Sequence, residues 1–307
     1  TPTRTGLSTI AAHSLHPKPG EVDLLAAALV DAVSGDARDA AGVPADAIAA
    51  AAAAISGSVT VVLGRASVAE SAAVTVDAAI ALNRLEGVGF LSALRRGNVH
   101  GALDMGMAPG LLPGRVPLNA GCDAFDQVPT EVGMDTIAML EAAAAGDLDV
   151  LVLLGSDPLS DVPDADLAER GLAGAGTVIA VEMLPNASTL AHADLVLPAA
   201  APTEVDGTFT NLEGRVSVAE QKVTPPGTAR ADWMIAAELA LRLGADLGVE
   251  SPESIRAEIA AVSPVHAELT EAALADGRVE GVLINGSSIE APTVSASTTP
   301  ANDAYSL

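Results

Sequence analysis

Two hydrophobic rhythms alternate through most of the chain. Val59-Thr-Val-Val-Leu63, Val88–Leu91, Asp149-Val-Leu-Val-Leu-Leu154, Thr177–Glu182 and Asp194-Leu-Val-Leu-Pro198 are short, nearly continuous apolar runs. That is the pattern of strands buried in a parallel sheet. Segments with helical features separate them. Glu21–Val33 carries acids in its first turn, where the helix dipole favours them. An Ala-rich stretch runs from Pro44, which suits a first helical position, to Ile55. Ser67-Val-Ala-Glu70 is a capping box that opens a helix to about Leu85. Asp135–Ala145 ends against Gly146, Ala165–Leu172 follows Gly155-Ser-Asp-Pro158, and Asn186–Ala191 leads into the run at Asp194.

Strands alternating with helices predict an α/β fold: a doubly wound, mainly parallel sheet with helices on both faces. In such sheets the ligand crevice lies beyond the carboxyl ends of the strands. Gly155–Pro158, Glu182–Asn186 and Pro198–Glu204 all fall at that edge. The pattern loosens over residues 92–134, a long loop-rich connection of the kind that is often functional. Gly207–Thr210, a turn at Asn211-Leu-Glu-Gly214 and Arg215–Val218 read as a hairpin, with Gly214 free to take a positive φ. Asp232–Leu243 and Pro252–Val262 are amphipathic helices, and Val279–Ile284 is a late strand. The expected organisation is an irregular lead-in over 1–20 and an α/β region over 21–228, divisible into lobes 21–134 and 135–228. A helical C-terminal extension over 229–286 and a flexible Ser/Thr/Ala/Pro tail over 287–307 follow.

Charge narrows the function classes. Fifteen basic residues face 40 acidic ones, a net charge of −25. This argues against nucleic acid and anionic membrane surfaces as partners. It also makes a site for several phosphates harder to build. The chain has no run of eighteen apolar residues and no secretory signal pattern, so no direct membrane insertion is expected. It opens on Thr1, and the expectation is a portion of a longer intracellular protein. Cys122 is the only cysteine, too few thiols for a four-iron cluster or an internal disulfide. His13 and His16 are the only histidines close in sequence, in a Pro-rich opening.

Candidate chemistry concentrates at the sheet edge and in the hairpin. No dinucleotide fingerprint, Walker loop or nucleophile elbow is present. Gly155, Ser156, Asp157 and Pro158 end an apolar strand with small polar residues, which either admit a nucleotide or make an ordinary turn. Asp157, Asp161, Asp164 and Asp166 suit helix N-terminal capping better than a cation site. Arg215 either binds a phosphate or carboxylate bidentately or pairs with Glu204 or Glu213.

The densest motif is Asp206-Gly-Thr-Phe-Thr-Asn-Leu-Glu-Gly-Arg215, followed by Pro225-Pro-Gly-Thr-Ala-Arg-Ala-Asp-Trp233 with the single tryptophan. Together with Pro19-Gly20, Gly155-Ser-Asp-Pro158 and Ala193-Asp-Leu-Val-Leu-Pro198, it resembles the molybdopterin oxidoreductase superfamily over roughly Leu15 to Gly244. Leu63-Gly-Arg65 and Arg96-Gly-Asn98, running on to Leu112-Pro-Gly114, resemble the branch that became the G subunit of NADH-quinone oxidoreductase (complex I). The resemblance implies vestigial pterin-pocket candidates at Gly155, Ser156, Asp157, Pro158, Glu182, Thr208, Asn211, Glu213 and Arg215. Where active relatives carry an Asp and a Thr-Glu-Thr-Ala run, this sequence has Met183 and Ala187-Ser-Thr-Leu190, which argues against bound molybdopterin.

The resemblance further implies a non-catalytic scaffold portion of the iron–sulfur G subunit, supporting electron transfer from NADH to quinone. On that reading no cofactor and no catalytic or metal-binding residue is expected in the chain itself. Iron–sulfur clusters belong to an upstream part. The partners are other subunits of the complex I peripheral arm, and the location is cytoplasmic, at the inner face of the cell membrane. Two alternatives remain open. One is part of an active molybdopterin-dependent dehydrogenase of formate or nitrate type. The other is a nucleotide-binding α/β module without a redox role.

Overall fold

The computed structural model describes residues 1–64, 72–94, 96–121, 125 and 128–284. The capping box at Ser67–Glu70, Cys122 and the tail from Ser287 lie outside the described residues. The chain separates into two compact units, divided between Arg96 and Gly97.

The first unit starts with α1 (Val22–Val33) and α2 (Ala45–Ala53), continues through β1 (Val59–Leu63) and α3 (Ala72–Leu82), and ends in β2 (Val88–Ser92). Pro44 is the N-cap of α2 rather than its first residue. This costs no backbone hydrogen bond, because proline has no N–H to leave unpaired. β1 and β2 pair in parallel with Val59 opposite Val88, so α3 is their crossover. Leu25, Ala28, Val43 and Ile48 form the core beneath α1 and α2. Asp31 on α1 accepts Arg84 at 2.9 Å and Arg38 at 2.8 Å. Those guanidiniums, Arg84 first, hold its carboxyl below the usual range.

The second unit begins with short pieces: α4 (Val99–Asp104), β3 (Leu111–Leu112) and β4 (Val116–Pro117). Its main body runs α5 (Thr136–Ala145), β5 (Val150–Leu154), α6 (Pro158–Asp161), α7 (Ala165–Gly174), β6 (Thr177–Glu182), α8 (Ala187–His192) and β7 (Leu195–Pro198). The three strands are parallel in the order β5-β6-β7. Asp135 caps α5 by accepting from Ala138 N at 2.9 Å, and Gly146 ends it at φ 81°. Asp164 caps α7 through Leu167 N at 2.9 Å, the capping role expected for an acid in that cluster.

Leu140, Leu151, Leu153, Leu167, Leu172 and Val178 form the core on one sheet face. On the other face Ile235 of α9 (Asp232–Arg242) packs on Val181 and Leu197. Helices therefore lie on both faces, but unevenly. The unbroken apolar run of β5 predicts burial on both sides, yet burial alternates along it, with Leu151 and Leu153 buried and Val150, Val152 and Leu154 exposed. β8 (Gly207–Thr210) and β9 (Arg215–Ala219) form the expected hairpin, with Gly214 at φ 81°. α10 (Pro252–Val262) and α11 (Glu271–Asp276) lead to β10 (Val282–Leu283), which adds antiparallel to β9.

α5 and α7 approach closely at Gly171. A Cβ there would lie 2.8 Å from the Leu140 carbonyl oxygen and 2.8 Å from its Cδ2. Leu140 can swing its side chain, but its backbone can move only if the helices separate. Gly171→Ala is expected to cost about 1–3 kcal/mol in a urea titration of the full chain. A neutral result would show that the helix pair tolerates a wider spacing.

Candidate functional site

The carboxyl edge of β5-β6-β7 is built by three connections that bond to one another. Gly155 leaves β5 at φ 55° and its N–H still donates to Val181 O at 3.0 Å. Ser156 N donates to Glu182 Oε1 at 2.9 Å. Asn186 Nδ2 donates to the same oxygen at 3.0 Å and to Ser156 O at 3.2 Å. Glu182, the last residue of β6, is only 9% exposed. Asn186 is also the N-cap of α8, accepting from Thr189 N at 2.9 Å.

Asp157 makes a second knot. Its Oδ1 accepts from Ser188 N at 3.0 Å and Ser188 Oγ at 2.5 Å, and its Oδ2 accepts from Ser160 Oγ at 2.7 Å. Ser188 has no exposed surface, and its Oγ also accepts from Leu159 N at 3.0 Å. Hydrogen bonds from Ser188 and then Ser160 hold the Asp157 carboxyl below its usual range. Pro158 is buried at the first position of α6. Sequence order thus places Gly155, Ser156, Asp157, Pro158 and Glu182 at one edge, and folding joins them through Asn186 and Ser188. Asn186 carries an N-cap signature that sequence can reveal; the burial of Ser188 leaves none.

The hairpin candidates sit in a different setting. Asn211 Oδ1 accepts from Glu213 N and Arg215 N, each at 2.9 Å, and so shapes its own turn. Arg215 Nε donates to Glu213 Oε2 at 3.1 Å, and its Nη1 to Gly281 O at 3.4 Å. Of the two pairings open in sequence, the structure has Glu213. Glu204 instead accepts from Ala201 N at 2.8 Å. Thr208 pairs across the hairpin with Val218 and lines a separate cavity.

The model of the family described as molybdopterin oxidoreductase matches residues 36–242. The chain belongs to the molybdopterin oxidoreductase family. It is similar to the NADPH-Fe(3+) oxidoreductase subunit alpha of Geobacter sulfurreducens, 32% identical over 184 residues that cover 59% of this chain and 22% of that protein. It is similar to a G subunit of NADH-quinone oxidoreductase (number 2) from Rhizobium meliloti, 37% identical over 190 residues with the same two coverages. The matched segment spans about a fifth of the length of these curated relatives. Among solved structures, acetylene hydratase from Pelobacter acetylenicus shares the fold, with a TM-score of 0.57 and 17% identity over 89% of this chain and 46% of that one.

Family membership raises the question of a pterin dinucleotide at the sheet edge. The backbone leaves room, since a Cβ on Gly155 would meet nothing within 4 Å. The chemistry matches poorly. A cleft of ≈ 440 Å³ beyond β6 and β7 is walled by Met183, Leu184, Pro198, Ala199, Thr228 and Glu204, among others. These offer apolar surface, one hydroxyl and one carboxylate, and no lysine or arginine is among its lining residues. A diphosphate would be desolvated there beside a like charge. The nearby polar groups of Asp157, Asn186 and Ser188 already serve one another. The described lining does not fit a diphosphate-bearing cofactor.

A second cavity, of ≈ 80 Å³, lies among α4, the hairpin and α10, with Asn98, Thr208, Thr210, Arg256 and His266 in its wall. Sequence reading singled out Thr208 but passed over Arg256 and His266, which are far from it in the chain. Asn98 Oδ1 accepts from Thr210 N at 2.8 Å, and Arg256 donates to Glu271 at 2.6 Å. His266 is buried, with Nδ1 2.7 Å from Ser263 Oγ. Burial pushes its pKa down, Asp104 raises it and Arg115 lowers it further. Asp104 is itself buried, bound to Arg115 Nε at 2.5 Å, with its Oδ2 unpartnered among the described residues.

These two polar networks give separate tests, in different pH windows. Ser188→Ala removes a donor to Asp157 and an acceptor for Leu159 N, so it should cost about 1–3 kcal/mol at pH 7. Asp157 has a depressed folded pKa, so its stabilisation is present above the unfolded value of about 3.9 and is lost as pH falls below it. The gap between parent and Ser188→Ala in urea midpoint should therefore narrow in acid. His266 is a base with a depressed folded pKa. Its neutral form is favoured in the fold, and stability is lost as pH falls below the unfolded value of about 6.5. Thermal melts of His266→Gln should lose less between pH 7 and 5 than those of the parent. Parallel curves would mean that His266 does not titrate in this window.

Proposed function

We propose that this chain is a non-catalytic scaffold within the iron–sulfur G subunit of an NADH-quinone oxidoreductase, supporting electron transfer from NADH to quinone. One observation carries the reading: the polar side chains at the family's ligand edge are spent on each other. Asp157 is occupied by Ser188 and Ser160, and Glu182 by Ser156 and Asn186. The cleft beside them opens onto apolar walls and Glu204. A fold kept with its ligand groups turned inward serves as architecture rather than as a binding site.

The relative from Rhizobium meliloti supports the assignment to that subunit. On this reading the iron–sulfur clusters lie in another part of the polypeptide, and molybdopterin is absent. The partners are other subunits of the peripheral arm, and the location is the cytoplasmic face of the membrane. No helix among the described residues is long and apolar enough to cross a membrane, which suits peripheral association through those subunits.

The test is elemental and pterin analysis of the intact polypeptide carrying this segment, purified under anaerobic conditions from cells supplied with molybdate. Iron and sulfide should be present in multiple equivalents, while molybdenum, tungsten and guanine-containing pterin stay well below one equivalent. Stoichiometric molybdenum with pterin would overturn the scaffold reading and favour an active dehydrogenase.

A further inference from the structure

The cavity of ≈ 80 Å³ among α4, the β8-β9 hairpin and α10 is walled by polar groups that their protein neighbours leave unsatisfied. Thr210 is 5% and His266 3% exposed. His266 meets Ser263 Oγ through Nδ1, and its Nε2 has no hydrogen-bond partner among the described residues. The hydroxyls of Thr208 and Thr210 bond none of those residues either, since what Thr210 gives to Asn98 is its backbone N–H. Buried polar groups in folded proteins are nearly always paired, with protein or with ordered water. Three such groups reach one cavity and share no partner across it, which points to an occupant.

Size and charge select that occupant. Roughly 10–15 Å³ is enough for one water, so ≈ 80 Å³ takes several, yet it falls well short of the pockets that enclose organic ligands. Among the lining residues Arg256 is the one permanent charge, and Glu271 at 2.6 Å and Glu253 at 3.4 Å already match it. Asp104 and Arg115, whose charges His266 also feels, match each other. The site therefore calls for no counter-ion. It calls for a small neutral group that both donates and accepts, which suits hydroxyls and either tautomer of a neutral histidine.

We propose that this cavity binds a cluster of ordered waters, hydrogen-bonded to His266 Nε2 and to the Thr208 and Thr210 hydroxyls. The cluster is a structural ligand. It joins the hairpin to the short 3₁₀ helix Pro264–His266 that follows α10, two segments more than fifty residues apart in the chain. The cavity shares no lining residue with the cleft at the sheet edge, so its test is separate from the metal and pterin analysis.

The experiment is a crystal structure of the intact polypeptide carrying this segment, as parent, as parent under xenon pressure, and as the double variant Thr208→Val, Thr210→Val. Valine keeps the shape of threonine and removes its hydroxyl. The parent should show discrete water peaks about 2.7–3.2 Å from His266 Nε2 and from both hydroxyls. It should take up no xenon there, because xenon enters dry apolar cavities. The valine pair should lose the peaks that bonded the hydroxyls and keep the one on His266, with an unchanged circular dichroism spectrum. Xenon in the parent cavity, a side chain or a larger solute filling it, or peaks that survive the valine pair unchanged would each overturn the proposal. The parent crystals decide the question by themselves where the variant does not fold.

Discussion

Two carboxylates at the sheet edge hold the second unit's connections together. Glu182 ends the central strand and takes hydrogen bonds from the loops on either side, Ser156 after β5 and Asn186 before α8. Asp157 does the same one layer out, tying α6 to α8 through Ser188. A parallel sheet fixes its strands by ladder bonds, but its loops have only what their side chains supply. Here Glu182, Asp157, Asn186 and Ser188 supply that fixing by bonding across the connections. Charge-assisted hydrogen bonds are the stronger kind.

The handedness of the crossovers sets the second constraint. Once β5, β6 and β7 follow in one direction, their helices collect on one face. Among the described residues α9, arriving after the hairpin, reaches the other, and it covers the end at Val181 and Leu197. Leucine and valine at outward positions are what the sequence would need if something else were to complete the layer. The same apolar runs that identify the strands thus leave Val152, Leu154 and Leu195 exposed among the described residues.

Much of this was legible in the residues. The five apolar runs are all strands, Asp135 and Gly146 cap the helix they flank, and the Asn211–Gly214 turn closes the hairpin as its chemistry demands. Local propensity and periodicity agree at these points, and each depends on residues close in sequence. Burial of the sheet faces was less legible: Val150, Val152 and Leu154 read as core because periodicity reports fitness for burial, not what is there to bury them. The edge candidates Gly155–Pro158 and Glu182 follow from topology. Their bonding to Asn186 and Ser188 does not, because it depends on a side-chain geometry about thirty residues away in sequence. The family resemblance groups Thr208 and Arg215 with the edge residues, but the hairpin directs them to its own turn and to a separate cavity.

The cavity wall at His266 shows the limit of such reading most clearly. Asp104, Arg115 and His266 come from three segments, and none has a sequence neighbour that marks it as buried. Arg115 adopts a φ of 58°, a region that costs a non-glycine residue energy, and its guanidinium bonds Asp104 and the His100 carbonyl. The ion pair and the strained turn belong together: the turn aims the arginine, and the buried carboxylate rewards that aim. With Asp104 paired and one of its oxygens still unpartnered, the charge that reaches His266 is partly neutralised, and desolvation prevails over the attraction. The His266 pKa is therefore lowered, where an isolated Asp–His pair would raise it.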